Sequence, residues 1–372
     1  MKRIAINKAW VVRHLSDYGM LVVLVMLCVF FSIATLDDLT PRGASGGKRL
    51  AKEIVKQHGE DVSVFAVARE TNEDDEFIAA LKERVNVVGS SQGQPSEAKA
   101  AVRETPGVIV VALADGNVTR WTPVFEEFEV QLMGPKSYKG SNFLKRDNLA
   151  NIPGQVAIIA VIAIGMTFVI ITAGIDLSVG SLIALSAVVA AWFVREFGGV
   201  EASGFGVAAA WAIAILICAA IGLSTGGFVT YFNIPPFIVT LGFMLMARGV
   251  AQLITNSQTI NEVPSGYTAL GRDTTLGIPN AAILMVVLYI VAHLVLAKTK
   301  FGRYIYAIGG NREAARLSGV PIQAMLLFVY ALCGALAGLG GVMMSSQLAG
   351  GSHEWGKFVE LYVIAAVVVG GA

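Results

Sequence analysis

Long apolar stretches separated by short polar ones make up most of this chain. Runs of about 18 or more mainly apolar residues predict membrane-spanning helices. The pattern therefore predicts an all-α polytopic membrane protein with about eight visible spans, one of them short. The last run is still apolar at Ala372, and we expect further spans in a longer protein. The predicted spans are 18–36, 152–173, 180–194, 206–230, 238–255, 281–297, 323–346 and 360 onward.

Basic residues lie mainly on one of the two sides that an alternating path defines. The N-terminus and the segment 298–322 fall on the same side, and both are basic. Because cytoplasmic loops of membrane proteins are enriched in lysine and arginine, this side is predicted to be cytoplasmic. The basic residues are Lys2, Arg3, Lys8, Arg13, Lys298, Lys300, Arg303, Arg312 and Arg316.

Residues 37–146 have the pattern of a soluble domain inserted between the first two spans. Three short β-rich runs alternate with amphipathic helical runs, which predicts a small α/β insert with a partly parallel sheet. Topology predicts that the insert is extracytoplasmic, periplasmic or extracellular. The chain then divides into 1–36, 37–146 and 147–372. The predicted strands are 62–68, 85–90 and 107–114, and the predicted helices are 48–59, 74–84 and 95–104.

A glycine-rich stretch, GASGGKR at 43–49, opens this insert. A phosphate-binding loop needs four residues between its glycines and Ser or Thr after the lysine. Here three residues intervene and Arg49 follows Lys48, so we predict a flexible linker and no nucleotide site.

Composition limits the partners of the chain. The sequence is 55% hydrophobic and 15% charged, whereas soluble proteins have about 25% charged residues, so the predicted environment is a lipid membrane. No basic tract with interleaved aromatics is present, which argues against nucleic acid as a partner. The three cysteines and four histidines are scattered without metal-ligand spacing, and we expect no metal site.

Asp176 lies in ITAGIDLSVGS, between two apolar runs. In one interpretation it is exposed at the cytoplasmic surface and stabilises the start of the next helix as a cap or first-turn acid. In the other, the segment is a break at membrane depth, where glycines permit a bend and serines satisfy the backbone, as in many transporter sites. The two interpretations are not exclusive.

Arg248 is an unusual residue for an apolar run, and two further features of the apolar region are considered with it. It is expected to bind a buried carbonyl or carboxylate, with Asp176 and Glu360 as candidate acids, or else to lie near the outer interface. The hairpin at 231–240 contains two prolines and is either packed against protein or solvated. The small residues of 334–342 predict close helix packing, with a flexible gate as the alternative.

The basic segment 299–322 contains a short predicted helix, NREAARLSG. Asn311 is suited to cap it, Glu313 and Arg316 complement its two ends, and Gly319 followed by Pro321 ends it. On pattern alone this is either a docking element or an ordinary solvated loop.

Three blocks of the sequence resemble the permease subunits of bacterial ABC importers of the ribose, xylose and galactose type. They occur in the expected order within 152–372, as IAIGMTFVIITAGIDLSVGSLIALSA (162–187), IPPFIVTLGFMLMARG (234–249) and GRYIYAIGGNREAARLSGV (302–320). Related permeases carry branched-chain amino acids.

The resemblance implies a homodimeric transport subunit of the bacterial inner membrane that works by alternating access and has no ATPase of its own. A separate ATP-binding subunit, which holds ATP and magnesium, docks on the loop, and an extracytoplasmic binding protein delivers a monosaccharide. The large insert departs from the family. The predicted docking residues are Gly302, Arg303, Asn311, Glu313, Ala314, Ala315, Arg316 and Gly319. The predicted path or gate residues are Asp176, Ser178, Ser181, Asn233, Pro235 and Arg248.

Two other functions compete with this one. An ion-coupled secondary transporter would use Asp176 as its coupling carboxylate. A membrane-anchored sensor would bind a ligand in the 37–146 insert and use the spans as scaffold.

Overall fold

The computed structural model describes residues 8–69 and 71–371 and consists of two compact units that divide between Lys145 and Arg146. The helices of the first unit are α1 (Lys8–Ala34), α2 (Gly43–His58), α3 (Asn72–Lys82), α4 (Pro95–Glu104) and α5 (Val118–Phe125). Its strands are β1 (Leu36–Leu39), β2 (Ser63–Ala68), β3 (Asn86–Gln92), β4 (Val110–Leu113), β5 (Gln131–Met133) and β6 (Tyr138–Ser141).

Four strands of the first unit form a parallel sheet in the order β3-β2-β4-β5. Alternate residues of β2 face opposite sides: Val64 packs with α2 and α3, and Phe65 packs with α4 and α5. A sheet covered by helices on both faces is the arrangement expected when strands and helices alternate. β1 and β6 form a separate antiparallel pair.

The predicted flexible linker at 43–49 is wrong, because α2 already begins at Gly43. The glycines allow a close approach to neighbouring chain. A Cβ atom at Gly47 would lie 2.5 Å from the carbonyl oxygen of Phe77 in α3, and one at Gly46 would lie 2.5 Å from that of Pro41. A real Cβ does not tolerate such distances, so glycine is needed for α2 to pack here.

The second unit is helical and is the larger of the two. Its short strands β7 (Thr274–Thr275) and β8 (Ile278–Pro279) form one small hairpin. The helices are α6 (Arg146–Ile171), α7 (Val179–Glu196), α8 (Gly204–Tyr231), α9 (Pro236–Thr255), α10 (Asn280–Lys298), α11 (Lys300–Gly310), α12 (Arg312–Leu317), α13 (Ile322–Leu348) and α14 (Val359–Val369).

Six helices among the described residues are long and apolar enough to cross a membrane: α6 from Asn148 onward, α7, α8, α9, α10 and α13. This confirms a helical polytopic membrane protein, although the structure supports six spans where eight were predicted. The apolar part of α1, Gly19–Ala34, and α14 are shorter. The first and last predicted spans therefore stay predictions.

α13 is the central helix of the second unit and packs mainly against α6, α7 and α8. Several of its glycines contact the backbone of neighbouring helices directly. Gly334, for example, lies against the carbonyl oxygen of Cys218 in α8. A Cβ atom at Gly341 would lie 2.5 Å from the carbonyl oxygen of Ile183. Since α13 is continuous through 334–342, these residues serve close helix packing, as the sequence predicted.

Candidate functional site

Seven residues, 172–178, separate α6 from α7, and Asp176 lies among them with none of its surface exposed. One carboxylate oxygen, Oδ1, accepts hydrogen bonds from the Ser178 amide at 2.9 Å and from the Ser178 hydroxyl at 2.6 Å. Asp176 therefore forms a turn two residues ahead of Ser178, which is itself the N-cap of α7. The interpretation in which Asp176 is exposed is wrong.

The first turn of α7 lies beside the middle of α9. The Nε of Arg248 donates to the Ser181 hydroxyl at 3.3 Å. Arg248 follows Pro236, the first residue of α9, by twelve residues, or about 18 Å along a helix. It precedes the end of α9 at Thr255 by about 10 Å. Because Arg248 lies near the middle of α9, the first turn of α7 lies inside the helical bundle, and the break at membrane depth stays a prediction.

Arg248 is bound by backbone carbonyls and does not pair with Asp176. Its Nη1 donates to the carbonyl of His353 at 2.6 Å and to that of Trp355 at 3.3 Å, both in the segment that leads to α14. No ion pair of this guanidinium occurs among residues 8–69 and 71–371. Glu360 is close enough to interact with it electrostatically. Arg248 was predicted to bind either a buried carbonyl or a carboxylate, and the structure shows the carbonyl.

The other side of Asp176 faces α13. Cys333 lies beside the carboxylate, and Tyr330 lies close to it. Three buried side-chain polar atoms in the described part of the chain have no hydrogen-bond partner, and two of them are here, Asp176 Oδ2 and Tyr330 Oη. Buried polar atoms without partners are rare and often mark a functional site.

A cavity of about 370 Å³ opens below this pair, at the end of the unit that carries the 299–322 loop. Four elements form its walls: the 172–178 segment, the hairpin between α8 and α9, the 299–322 loop and α13. Asn233 adopts a left-handed conformation with φ 52°, and Pro235 precedes α9, so the hairpin turns tightly. Residues that line the cavity include Thr172, Gly174, Asn233, Pro235, Gly309, Asn311, Arg312 and Tyr330.

The 299–322 loop consists of two short helices, α11 and α12. The sequence predicted α12 and its ends correctly: the Asn311 side chain accepts a hydrogen bond from the Ala314 amide at 3.0 Å, and Gly319 ends the turn with φ 80°. It missed α11, whose buried residues include Ile305 and Ile308.

The predicted docking residues divide into a buried and an exposed group. Gly302 and Ala315 are buried, and Gly302 lies against the backbone of Leu296 in α10. Leu317, which the sequence analysis did not select, is 82% exposed on α12. The exposed group is Arg303, Asn311, Glu313, Ala314, Arg316 and Gly319.

Gly309, in the last turn of α11, lies against the carbonyl of Ile171, the last residue of α6. A side chain at 309 would displace that carbonyl. The loop and the start of the 172–178 segment are therefore in direct backbone contact. Sequence spacing gives no signal for this contact, since 138 residues separate its two members.

Comparison with known proteins places this unit in a family. The model of the family described as branched-chain amino acid transport system / permease component matches residues 148–372. The chain is 41% identical over 237 residues to the ribose import permease protein RbsC of Escherichia coli K12, covering 62% of this chain and 71% of the relative. It is 40% identical over 232 residues to RbsC of Bacillus subtilis 168, covering 62% and 70%.

A third relative carries a different sugar name. The chain is 34% identical over 246 residues to the galactose/methyl galactoside import permease protein MglC of Escherichia coli K12, covering 63% of this chain and 73% of the relative. No solved structure matches. Since the family model covers more than half of the sequence, the chain belongs to the branched-chain amino acid transport system permease family.

Proposed function

We propose that this chain is the permease subunit of an ATP-driven importer of a monosaccharide, a multi-pass protein of the bacterial inner membrane. The observation that carries the proposal is the identity of 34–41% to relatives named as ribose and galactose import permeases. It is a transport subunit and not an enzyme, and the ATP and magnesium of the transport cycle belong to a separate subunit. The family description keeps a branched-chain amino acid as a second candidate cargo.

The 172–178 segment and the facing part of α9 are proposed to form the translocation path or its gate. Asp176, Ser178 and Ser181 lie on the α7 side, and Arg248 holds α9 to the segment before α14. Helix breaks at membrane depth expose backbone polar groups that a hydroxylated cargo is able to bind. Asn233 and Pro235 close this path at the loop end.

The 299–322 loop is proposed to dock the ATP-binding subunit. Its α12 helix presents Glu313, paired with Arg316 at 2.9 Å, and the exposed Leu317. The contact between Gly309 and Ile171 then gives loop movement a direct route to the segment that holds Asp176. Alternating access would follow from displacement of this segment.

Two further partners and the orientation belong to the same proposal. An extracytoplasmic sugar-binding protein delivers the cargo, and a second copy of the chain completes the path. The N-terminus and the 299–322 loop are cytoplasmic, and the 37–146 insert lies on the other side of the membrane. The excess of lysine and arginine in 298–322 supports this orientation.

Co-purification of the ATP-binding subunit with the Glu313→Arg variant tests docking. Reversal of an exposed charge at the centre of the proposed surface should abolish co-purification and uptake. Glu262→Arg, at another exposed acid in the segment between α9 and α10, is the control and should keep both. Retention of the ATP-binding subunit by Glu313→Arg would refute docking at α12.

Uptake into proteoliposomes separates the candidate functions. The proposal expects D-ribose or D-galactose uptake that needs ATP and the partner subunits and is unaffected by excess leucine. Uptake driven by an ion gradient without any ATPase would instead establish the ion-coupled transporter. Competition by leucine would establish the amino acid cargo.

A further inference from the structure

The first unit contains a crevice of about 250 Å³ that lies outside the matched family region. It opens at the carboxyl ends of β2 and β4, next to Ala68 and Ala114. β2 and β4 are neighbours in the sheet, whereas the chain leaves β2 towards β3 on the other side. This is the point where the strand order reverses, and open parallel sheets bind their ligands at that point.

Charged groups of both signs line the crevice. Arg42 and Arg69 contribute guanidinium groups, and Glu73, Asp74 and Asp115 contribute carboxylates. Neither guanidinium forms an ion pair with any residue in 8–69 or 71–371. The guanidinium groups are therefore available to a ligand as donors, and charge-assisted hydrogen bonds are among the strongest that a site offers.

The two aspartates are fixed by their own hydrogen bonds. Asp74 Oδ2 accepts from the Thr71 hydroxyl at 2.7 Å and from the Arg69 amide at 3.1 Å. Asp115 accepts from the Asn117 amide at 3.0 Å and from the indole N–H of Trp121 at 3.0 Å. The Trp121 ring is 6% exposed and supplies an apolar wall. A mainly rigid wall with a few placed polar groups is typical of a small-molecule site.

The chemistry of the lining selects against most ligand classes. A phosphate or carboxylate would face the three acids, and a cation would face the two arginines. The sequence that follows β2 reads RETNEDD and lacks the glycines with which a βα turn holds a dinucleotide pyrophosphate. A neutral polyhydroxylated molecule satisfies both sets, because each hydroxyl group donates to a carboxylate and accepts from a guanidinium.

We propose that the crevice between the ends of β2 and β4 binds a monosaccharide. The site is separate from the transport path, and it goes beyond the proposed function of the membrane unit. The full chain would then carry a second sugar site in residues 42–121, in addition to any binding in the path.

Hydrogen–deuterium exchange on the full chain in nanodiscs tests the proposal. The probes are D-ribose, D-xylose and D-galactose, each at about 10 mM, which exceeds a weak Kd of about 1 mM tenfold. At least one sugar should slow exchange in peptides that contain residues 69–74 and 115–121. No slowing there with any of the three, or slowing only within 146–371, would overturn the proposal. Slowing by inorganic phosphate in place of the sugars would also overturn it.

Arg69→Ala is the matched variant, because its exposed guanidinium has no ion pair in the described chain and substitutions of exposed residues usually change stability only slightly. Loss of one charge-assisted bond should weaken the sugar-dependent protection by about tenfold or more in concentration. Arg84 is an exposed arginine that precedes the first residue of β3, at the other end of the sheet from the crevice. Arg84→Ala should leave the sugar-dependent protection unchanged. Equal protection in the two variants would refute the crevice as the site. Uptake that stays ATP-dependent in Arg69→Ala would keep the proposed function intact in either case.

Discussion

Asp176 is the residue whose substitution separates a structural role from a transport role most cleanly. Its Oδ1 accepts two hydrogen bonds from the buried Ser178 and so fixes the turn before α7. Asp176→Ala removes both bonds and leaves the Ser178 amide and hydroxyl without an acceptor. Asp176→Asn keeps Oδ1 as an acceptor and changes only the charge and the second oxygen.

The expected magnitudes follow from these two bonds. A buried donor left without an acceptor costs about 1–3 kcal/mol, so Asp176→Ala, which leaves two such donors, should lower the free energy of unfolding by about 2–6 kcal/mol. In Asp176→Asn both bonds remain, because the amide oxygen takes the place of Oδ1. We expect a loss of less than about 2 kcal/mol for this variant.

Denaturant titration in detergent micelles measures the free energy of unfolding, and ATP-driven uptake into proteoliposomes measures function. Asp273→Ala, at an exposed acid of the same unit, is the control and should change neither. Equal destabilisation by Asn and Ala would refute the role of the Oδ1 bonds. A stable Asp176→Asn variant that still imports sugar would exclude the ion-coupled mechanism.

Three other substitutions test contacts within the second unit. Arg248→Met should lower the free energy of unfolding by about 2 kcal/mol in the same titration, because the His353 and Trp355 carbonyls lose their donor; no change would show that water replaces the guanidinium. Gly309→Val should reduce ATP-driven uptake by pressing on Ile171, whereas Gly310→Val, with open space around it, should not. Gly334→Ala should cost about 1–3 kcal/mol by overpacking α13 against α8. The open Gly227→Ala in α8 should cost nothing, and equal results for these two alanines would contradict the packing argument.

Local signals carried most of what the sequence predicted correctly. The N-cap of α12 by Asn311 and its end at Gly319 involve neighbours within a few residues, so short-range rules were sufficient. The same holds for the break around Asp176, where glycines and serines interrupt two apolar runs. The strands β2 and β4 also lie close to their predicted positions, because buried parallel strands give short apolar runs. The half-exposed edge strand β3 lies close to its predicted position as well.

The sequence pattern did not predict contacts between residues that are far apart along the chain. Arg248 was expected to have a buried partner, but the carbonyls that bind it lie 105 and 107 residues further along the chain. Backbone carbonyls have no residue signature, so no pattern identifies them. α11 was missed because its apolar residues do not form one clean face, since Phe301 and Tyr306 are exposed, and because it contains glycine at 302, 309 and 310, a weak helix former. Two of those glycines have a tertiary reason, because Gly302 lies against Leu296 and Gly309 lies against Ile171.

The position of Asp176 has a consequence for the synthesis of the chain. The side chains that cover it, Tyr330 and Cys333, follow it by 154 and 157 residues. At about 5–20 residues per second, a ribosome needs roughly 8–30 s to reach them. During that interval the nascent chain has a carboxylate without the neighbours that bury it in the folded protein. The turn at 172–178 therefore has to remain in a wet or protein-lined environment until α13 enters, and slow entry of α13 would appear as failed insertion of α7.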